Sequence, residues 1–393
     1  MTDSGSDAQV RKVLARARTA TRLTFLVAGI AMAAWAPMVP YAKARLGLDE
    51  ATLGLVLLAL GAGSAVSMPL VGLLAHHWGY RRVIVGASLL ASLALPLLTW
   101  VPGVAGLTAT LFGYGFLLGT MDVAMNSHAV EVERRDGRAL MSGFHGLFSV
   151  GGLVGSGGLS ALLSFGLPLP AAATVIAVVL AVVVMSQRTN LLPAQASTDS
   201  SLSARLHLPD RLLMLLGLLC FVSFLAEGAL LDWSAVFLRD VRAVAPSLAG
   251  LGYSSFSVAM AVGRLAGDAA IMRLGAVLAV RVGAAVAAAG LLLAALVPTV
   301  SASLIGFALV GLGAANIVPV MFSAAGRLPG RVPSMSLATV TALGYAGMLT
   351  GPALIGFVAH ASSLSLALSL VAALLLCVSA AARIVRPNEG EVR

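Results

Sequence analysis

The chain has 393 residues, of which 59% are hydrophobic and 10% charged, and its mean hydropathy is +0.98. An ordinary soluble domain has about 25% charged residues, so this composition excludes a soluble globular protein and indicates helices embedded in lipid. The two cysteines lie in apolar runs, which excludes a disulfide scaffold. The formal charge of +9 is spread between apolar runs rather than gathered on one face, which favours membrane topology over nucleic-acid binding.

The first apolar run, from Leu23 to Val39, follows a basic tail and predicts a retained first helix rather than a cleaved signal peptide. Four later runs without Asp, Glu, Lys or Arg are too long for one crossing, because about 20 residues span the hydrocarbon. Each of these runs therefore holds two helices joined by a turn. The sequence predicts an all-α membrane protein with twelve transmembrane helices, at approximately 22–45, 50–75, 82–101, 105–131, 139–164, 168–187, 211–238, 247–271, 275–297, 301–325, 334–359 and 363–384.

Positive charge is distributed unevenly about these helices. All but four of the 25 Lys and Arg fall on the side of the two termini, and the four exceptions are Lys43, Arg45, Arg239 and Arg242. The positive-inside rule therefore predicts cytoplasmic termini and a multi-pass protein of the inner (plasma) membrane. The predicted parts are a tail at 1–21, a six-helix bundle at 22–187, a polar cytoplasmic linker at 188–210, a second six-helix bundle at 211–384 and a tail at 385–393.

The two predicted bundles resemble each other in sequence. Gly79 and Gly275 are 196 positions apart, and the segment at 143–146 matches the segment at 344–347 with a similar offset. This spacing predicts a duplicated six-helix unit and pseudo-symmetric halves. Such a duplication typically places a substrate site near the bilayer midplane.

The loop after the second predicted helix, at 72–82, resembles the G-x-x-x-D-R-x-G-R-R loop of the major facilitator superfamily. It keeps two glycines and two arginines of that motif and has a histidine where the motif has Asp. The resemblance implies a cytoplasmic gate in which the loop residues are Gly72, His76, Gly79, Arg81 and Arg82. His76 is either a pH-dependent substitute for the Asp or an inert surface histidine.

The fourth predicted helix carries a more specific resemblance. Its segment at 121–126 is similar to the L-E-T-x-x-N segment of the fucose/proton symporters, with Asp122 in place of the Glu and Ser127 where that family has Pro. Four further segments make the chain resemble the YbjJ branch of the superfamily, which includes rhizopine-type transporters such as MosC; these segments are 34–41, 227–233, 263–268 and 316–319. The resemblance implies the major facilitator fold and solute transport, but it does not identify the substrate.

Two ionisable groups lie deep in the predicted spans, Asp122 in the fourth helix and Glu227 in the seventh. A charge at a helix centre costs about 2.5 to 3.5 kcal/mol on insertion scales, so each carboxyl must face a cavity, bind a donor or take up a proton. We predict that both carry protons during transport. The alternative is a protonated acid that only bonds a neighbouring helix.

Polar and aromatic groups in the predicted spans supply candidates for substrate binding. Asn126 follows Asp122 by one turn, so its amide can orient the carboxyl or bond a substrate hydroxyl. Tryptophan faces stack well on sugar rings, although tryptophan also anchors helices at membrane interfaces. The predicted substrate-binding residues are Trp35, Tyr41, Asn126, His145, Asp232, Trp233 and Asn316, of which Asp232 is placed at the outer mouth.

Arg264 and Asp268 lie four residues apart at the predicted cytoplasmic end of the eighth helix. This spacing allows either a salt bridge in the gate, which the resemblance implies, or an ordinary pair along one helix.

Other chemistries find no support in the sequence. It contains no phosphate-binding loop, no C-x-x-C and no H-E-x-x-H, so we predict no enzymatic activity, no cofactor and no metal. The predicted function is proton-coupled symport of a small polar solute, such as a sugar, cyclitol or related polyol, by alternating access in a monomer. Its partners are then this solute, protons and the lipid bilayer, with no nucleic acid. The alternatives are a proton-coupled antiporter that exports drugs or metabolites and a non-transporting membrane receptor.

Overall fold

A computed structural model describes residues 4–136, 140–193, 211–328 and 333–385. Within these ranges the chain is helical apart from short turns and connections, and ten segments are long and apolar enough to cross a membrane. Many large apolar side chains stay exposed, among them Trp100 at 70%, Leu93 at 65% and Val182 at 62%. Exposed apolar surface on this scale fits helices that face lipid.

The chain divides into two compact units, one formed by Met1–Leu46 and Ala59–Asp199 and the other by Gly47–Leu58 and Ser200–Arg393. The helices of the first unit are α1 (Ser4–Ala34), α2 (Val39–Leu46), α3 (Glu50–Trp100), α4 (Gly103–Asp136), α5 (Met141–Ser164) and α6 (Leu169–Gln187), and the beginning of α3 belongs to the second unit. The helices of the second unit are α7 (Arg211–Val236), α8 (Leu251–Leu265), α9 (Gly267–Leu274), α10 (Ala276–Leu296), α11 (Val300–Ala314), α12 (Ile317–Gly326), α13 (Pro333–Ala361) and α14 (Leu364–Ala381).

Two departures explain why ten membrane-length segments stand where twelve helices were predicted. Helix α3 runs through the second and third predicted helices, with a kink at Gly79 in place of a loop. The eighth predicted helix is broken at Ala266 into α8 and α9, each of which is short. The other predicted helices correspond to single membrane-length segments, although the first is longer than predicted and the tenth is broken at Asn316 between α11 and α12.

The first helix begins at Ser4 rather than near residue 22, because the basic tail is rich in Ala, Arg, Lys and Leu, which favour helix. It ends at Ala34, where a short 3₁₀ turn (Ala36–Met38) contains Pro37. Proline has no N–H to continue the helical hydrogen bonds, which accounts for the break.

Close helix pairs within each unit depend on glycine. In the first unit α1 crosses α5, and a Cβ on Gly29 or Gly155 would overlap a backbone carbonyl oxygen of the other helix. In the second unit a Cβ on Gly347 of α13 would overlap the carbonyl oxygen of Phe221 in α7. The absence of side chains lets the backbones approach, as is common for helices packed in membranes.

The duplication inferred from sequence reappears in backbone geometry. Gly79 has φ 76° and ψ 148°, and Gly275 has φ 75° and ψ 156°. This left-handed region suits glycine, because it has no Cβ. Both glycines stand where the second helix of a repeat meets the third.

A pair of arginines is also repeated, and each stabilises the end of a helix in its own unit. Arg45 donates hydrogen bonds to the carbonyl oxygens of Thr99 and Leu98, at 3.0 Å for Leu98, near the end of α3. Arg242, 197 positions later, donates to the carbonyl oxygens of Ala294 (2.6 Å) and Val297 (3.1 Å) at the end of α10. The last carbonyls of a helix have no partner in the helix, so a cation there satisfies them.

Candidate functional site in the membrane-spanning helices

Asp122 and Asn126 lie one turn apart on α4, and both are partly buried. The Asn126 amide nitrogen donates to the Asp122 backbone oxygen at 2.9 Å and to its carboxyl oxygen Oδ1 at 3.2 Å. The amide therefore orients the carboxyl, as the sequence spacing allowed. This contact is with a neutral amide, which can bond a carboxyl in either protonation state.

The other substrate-binding candidates of the first unit differ in exposure. Trp35 is 1% exposed, and its indole N–H has no hydrogen-bond acceptor among the described residues. Tyr41 lies in α2 and is partly exposed, whereas His145 of α5 is exposed and sets its ring edge-on to Phe25 of α1, with ring centres 5.1 Å apart. Sequence reasoning placed all three in a substrate site, which stays a prediction.

A buried histidine in the first unit escaped the sequence analysis. His128, 3% exposed in α4, contacts the Thr21 hydroxyl of α1 through Nδ1 at 3.2 Å. Its Nε2 accepts a hydrogen bond from the backbone N–H of Leu192 at 3.0 Å. Since Nε2 accepts, a neutral ring carries its proton on Nδ1. His128 thus joins α1, α4 and the chain after α6, and its distant partners left no local signal in the sequence.

The predicted gate residues lie around the kink in α3. Gly72, His76 and Arg82 are exposed, Arg81 is partly exposed, and Gly79 is buried at the kink itself. The His76 ring stands edge-on to His77, with ring centres 5.5 Å apart. In the described part of the chain, neither arginine forms an ion pair.

The second unit contains an ion pair that the sequence did not indicate. Glu227 of α7 faces Arg264 of α8, with 3.5 Å between Oε2 and a guanidinium nitrogen. The Glu227 side chain is 15% exposed and that of Arg264 is 32% exposed. The sequence had joined Arg264 to Asp268, whose side chain lies outside the described part of the structure. Tyr253 of α8 lies within electrostatic reach of both partners of the observed pair.

Asp232 and Trp233 lie farther along α7 and are buried, at 7% and 0% exposure. The indole N–H of Trp233 has no acceptor among the described residues, and the ring lies against α13, where a Cβ on Gly356 would come 3.2 Å from its Cζ2 atom. The sequence had placed Asp232 at an open mouth. Packing by the helices around α7 encloses it instead.

Asn316 connects two irregular points of the second unit. It stands between α11 and α12, and its amide nitrogen donates to the carbonyl oxygen of Gly263 at 2.9 Å, just before α8 gives way to α9. A Cβ on Gly267 would overlap its side-chain oxygen. The amide is thus engaged in joining broken helices, a structural use that the sequence did not indicate.

Comparison with known proteins agrees with this architecture. The chain matches the Major Facilitator Superfamily over residues 23–331. It is 48% identical to an uncharacterized MFS-type transporter of Yersinia pestis over 368 residues, which is 94% of this chain and 95% of that protein. It is also 31% identical to the membrane protein MosC of Rhizobium meliloti over 366 residues, covering 92% of this chain and 88% of MosC.

A solved structure shares the fold at low sequence identity. A point mutant of the nucleoside transporter NupG superposes with a TM-score of 0.76 at 14% identity, over 94% of this chain and all of that chain. The family and the all-helical membrane fold predicted from the sequence are therefore confirmed. The chain belongs to the major facilitator superfamily and is a multi-pass membrane transporter of a small molecule.

Proposed function

We propose that this transporter couples the import of a small polar solute, such as a sugar, cyclitol or related polyol, to the entry of protons by alternating access. It works as a monomer in the inner membrane, with both termini in the cytoplasm. Its six-helix halves, 22–187 and 211–384, are joined by a cytoplasmic linker at 188–210. The observation that carries this proposal is the ion pair of Glu227 and Arg264 inside apolar helices.

Because Glu227 and Arg264 form an ion pair, protonation of Glu227 changes a contact between two helices. A buried cation and anion stabilise each other in a low-dielectric environment, and removing one charge leaves the other uncompensated. A proton on Glu227 therefore removes the carboxylate charge from this ion pair and weakens its hold on Arg264. In this way one proton changes the contact between α7 and α8.

Asp122 provides the second protonation site in this proposal. Its partner in α4 is the Asn126 amide, which can bond the carboxyl in either protonation state. Asp122 thus keeps its contact with Asn126 when it gains or loses its proton. A single proton that crosses a potential of 100 mV supplies about 2.3 kcal/mol, enough for roughly a fifty-fold solute gradient.

Several hydrogen-bonding groups are available to bind a polar solute. The indole N–H groups of Trp35 and Trp233 are donors without an acceptor among the residues that the structure describes. His145 and Asn126 add groups that can donate or accept. We leave Asn316 out of the solute site because its amide joins α8 to the α11–α12 junction.

The test is solute-driven proton movement in proteoliposomes. Purified protein is reconstituted, an external pH dye is added, and sugars, cyclitols and cationic drugs are applied in turn. We expect external alkalinisation on addition of a sugar or cyclitol, lost in Glu227→Gln and in Asp122→Asn. Glu131→Gln, which changes a carboxyl outside the proposed site, is the matched control and should behave as wild type.

Other outcomes would replace the proposal. Acidification of the outside driven by a drug gradient would establish the antiporter, and binding without flux would indicate the receptor. Solute uptake that moves no protons would make the chain a uniporter.

A further inference from the structure

One carboxyl of the second unit is enclosed without compensation. Asp232 is 7% exposed, and it makes no hydrogen bond or ion pair with any residue that the structure describes. The next two residues of α7 carry unsatisfied polar atoms, because Trp233 Nε1 and Ser234 Oγ are fully buried and lack partners in the described chain. Buried polar groups are nearly always hydrogen-bonded, so two unsatisfied groups directly after a buried carboxyl mark a site rather than ordinary packing.

The helix changes its form directly after these residues. The turn from Phe237 to Val241 is π-helical, and the Arg242 N–H bonds the carbonyl oxygen of Phe237 five residues earlier. Single π-helical turns within helices occur frequently at functional sites. The unsatisfied groups and the irregular turn lie on adjacent turns of one element.

The surroundings of Asp232 offer it no free cation. Helices α8, α11, α12, α13 and α14, the π-helical turn and the segment Gly47–Leu58 lie in the same unit, and α11 and α12 contain no ionisable residue. The titratable side chains of the other elements are Tyr253, Arg264, Tyr345, His360, Cys377, Arg239, Asp240, Asp49 and Glu50, together with Arg211, Cys220 and Glu227 of α7.

Arg264, Arg239 and His360 each have another anion beside them. Arg211 lies at the opposite end of α7, and Arg242, directly after the π-helical turn, donates to the carbonyl oxygen of Ala294. Arg264 pairs with Glu227 at 3.5 Å, and Arg239 lies 3.9 Å from Asp240. His360 acts electrostatically on Asp49. Tyr253 is the group of α8 within electrostatic reach of Asp232, and a phenol supplies no positive charge at neutral pH.

A buried carboxyl that has neither a cation nor a hydrogen-bond donor beside it is more stable when it is neutral. A proton neutralises it without requiring additional volume in the packed site. We propose that Asp232 is a separate proton-binding site of the second unit, loaded when its enclosure opens and kept neutral when it closes. This inference deepens the proposed function and rests on it. When Glu227 loses its proton, its carboxylate pairs with Arg264, whereas the carboxylate of Asp232 is stabilised by water.

The first test needs no solute. Infrared difference spectra of the reconstituted protein, recorded in pH steps across neutrality, report the carbonyl stretch of protonated carboxylic acids. We expect a titrating band that disappears in Asp232→Asn, shifts in Asp232→Glu and persists in Glu131→Gln, which changes a carboxyl of the first unit. The proposal is overturned if the band is unchanged in Asp232→Asn. It is also overturned if the band appears only after sodium is replaced by choline, because the carboxylate would then bind sodium rather than a proton.

The second test separates proton coupling from solute binding, with L-fucose and myo-inositol as probes. Counterflow exchanges solute without net proton movement, whereas accumulation uses the proton gradient. In Asp232→Asn we expect the rate of counterflow to stay within about two-fold of wild type. Solute accumulation should fall by up to roughly fifty-fold, which is the gradient that one proton crossing 100 mV can sustain. Loss of counterflow with an unchanged infrared band would make Asp232 a solute ligand and overturn the inference.

The two proposals fail in different ways. If the wild type accumulates neither probe and moves no protons with any solute, the proposed symport fails, while the infrared band still decides whether Asp232 binds a proton. If the wild type couples normally and Asp232→Asn couples equally well, the symport stands and the role of Asp232 is refuted.

Discussion

Replacing Arg242 by Ala should destabilise the second unit strongly. The guanidinium donates to the carbonyl oxygens of Ala294, Ala295 and Val297 and to the Ser303 hydroxyl, and it lies 4.7 Å from the centre of the Phe237 ring. A hydrogen bond from a charged donor contributes roughly 1.5 to 3 kcal/mol. Because one partly exposed group makes all the contacts, their contributions do not add, and we expect a loss of about 3 kcal/mol.

The assay is thermal unfolding in detergent. A change of 1 kcal/mol shifts the midpoint by about 2 to 4 °C for units of this size, so Arg242→Ala should unfold roughly 6 to 12 °C below wild type. Arg242→Lys keeps the charge without the planar fork and should lose about half as much. Arg134→Ala removes an ion pair whose arginine side chain is 72% exposed and should change little. The reasoning is refuted if Arg242→Ala and Arg134→Ala unfold at the same temperature.

Further predictions concern other contacts, each measured by thermal unfolding. Gly155→Ala should destabilise by about 1 to 3 kcal/mol, because its Cβ meets the carbonyl oxygen of Ile30; Gly158→Ala, in open space on the same helix, should not. His128→Phe should cost about 1 to 3 kcal/mol by leaving the Leu192 N–H unsatisfied, and equal stability of His128→Phe and wild type would contradict the assigned bond. Hydrogen bonds from Thr52 lower the pKa of Asp49, so the wild type should be more stable than Asp49→Ala above pH 4. This difference in stability should vanish as the pH falls through the lowered pKa. A difference that does not depend on pH would refute the assignment.

Much of the helical layout could be predicted from the sequence because long uncharged runs and turn residues determine it directly. The run at 139–187 and its turn at 165–168 correspond to α5 and α6 within two residues. The spacing of Gly79 and Gly275 also indicated the duplication, since both positions need a left-handed backbone that glycine supplies at no steric cost. Such features depend on local composition and can be recognised without a structure.

Contacts between distant segments could not be predicted in the same way. The pairing of Arg264 with Glu227 depends on how α7 lies against α8, whereas the spacing of Arg264 and Asp268 is visible along the chain. Likewise the burial of Asp232 results from the packing of several helices around α7. The bond from Asn316 to Gly263 joins residues 53 positions apart, so a local motif gives no sign of it.

The central claim is that a proton on Glu227 drives solute entry, and proton flux measured together with solute flux tests it most directly. In proteoliposomes with an external pH dye, the account predicts that a transported sugar or cyclitol alkalinises the outside in wild type. In Glu227→Gln the alkalinisation should be lost, while the protein remains folded and still exchanges solute by counterflow. Full solute-driven alkalinisation in Glu227→Gln would contradict the account.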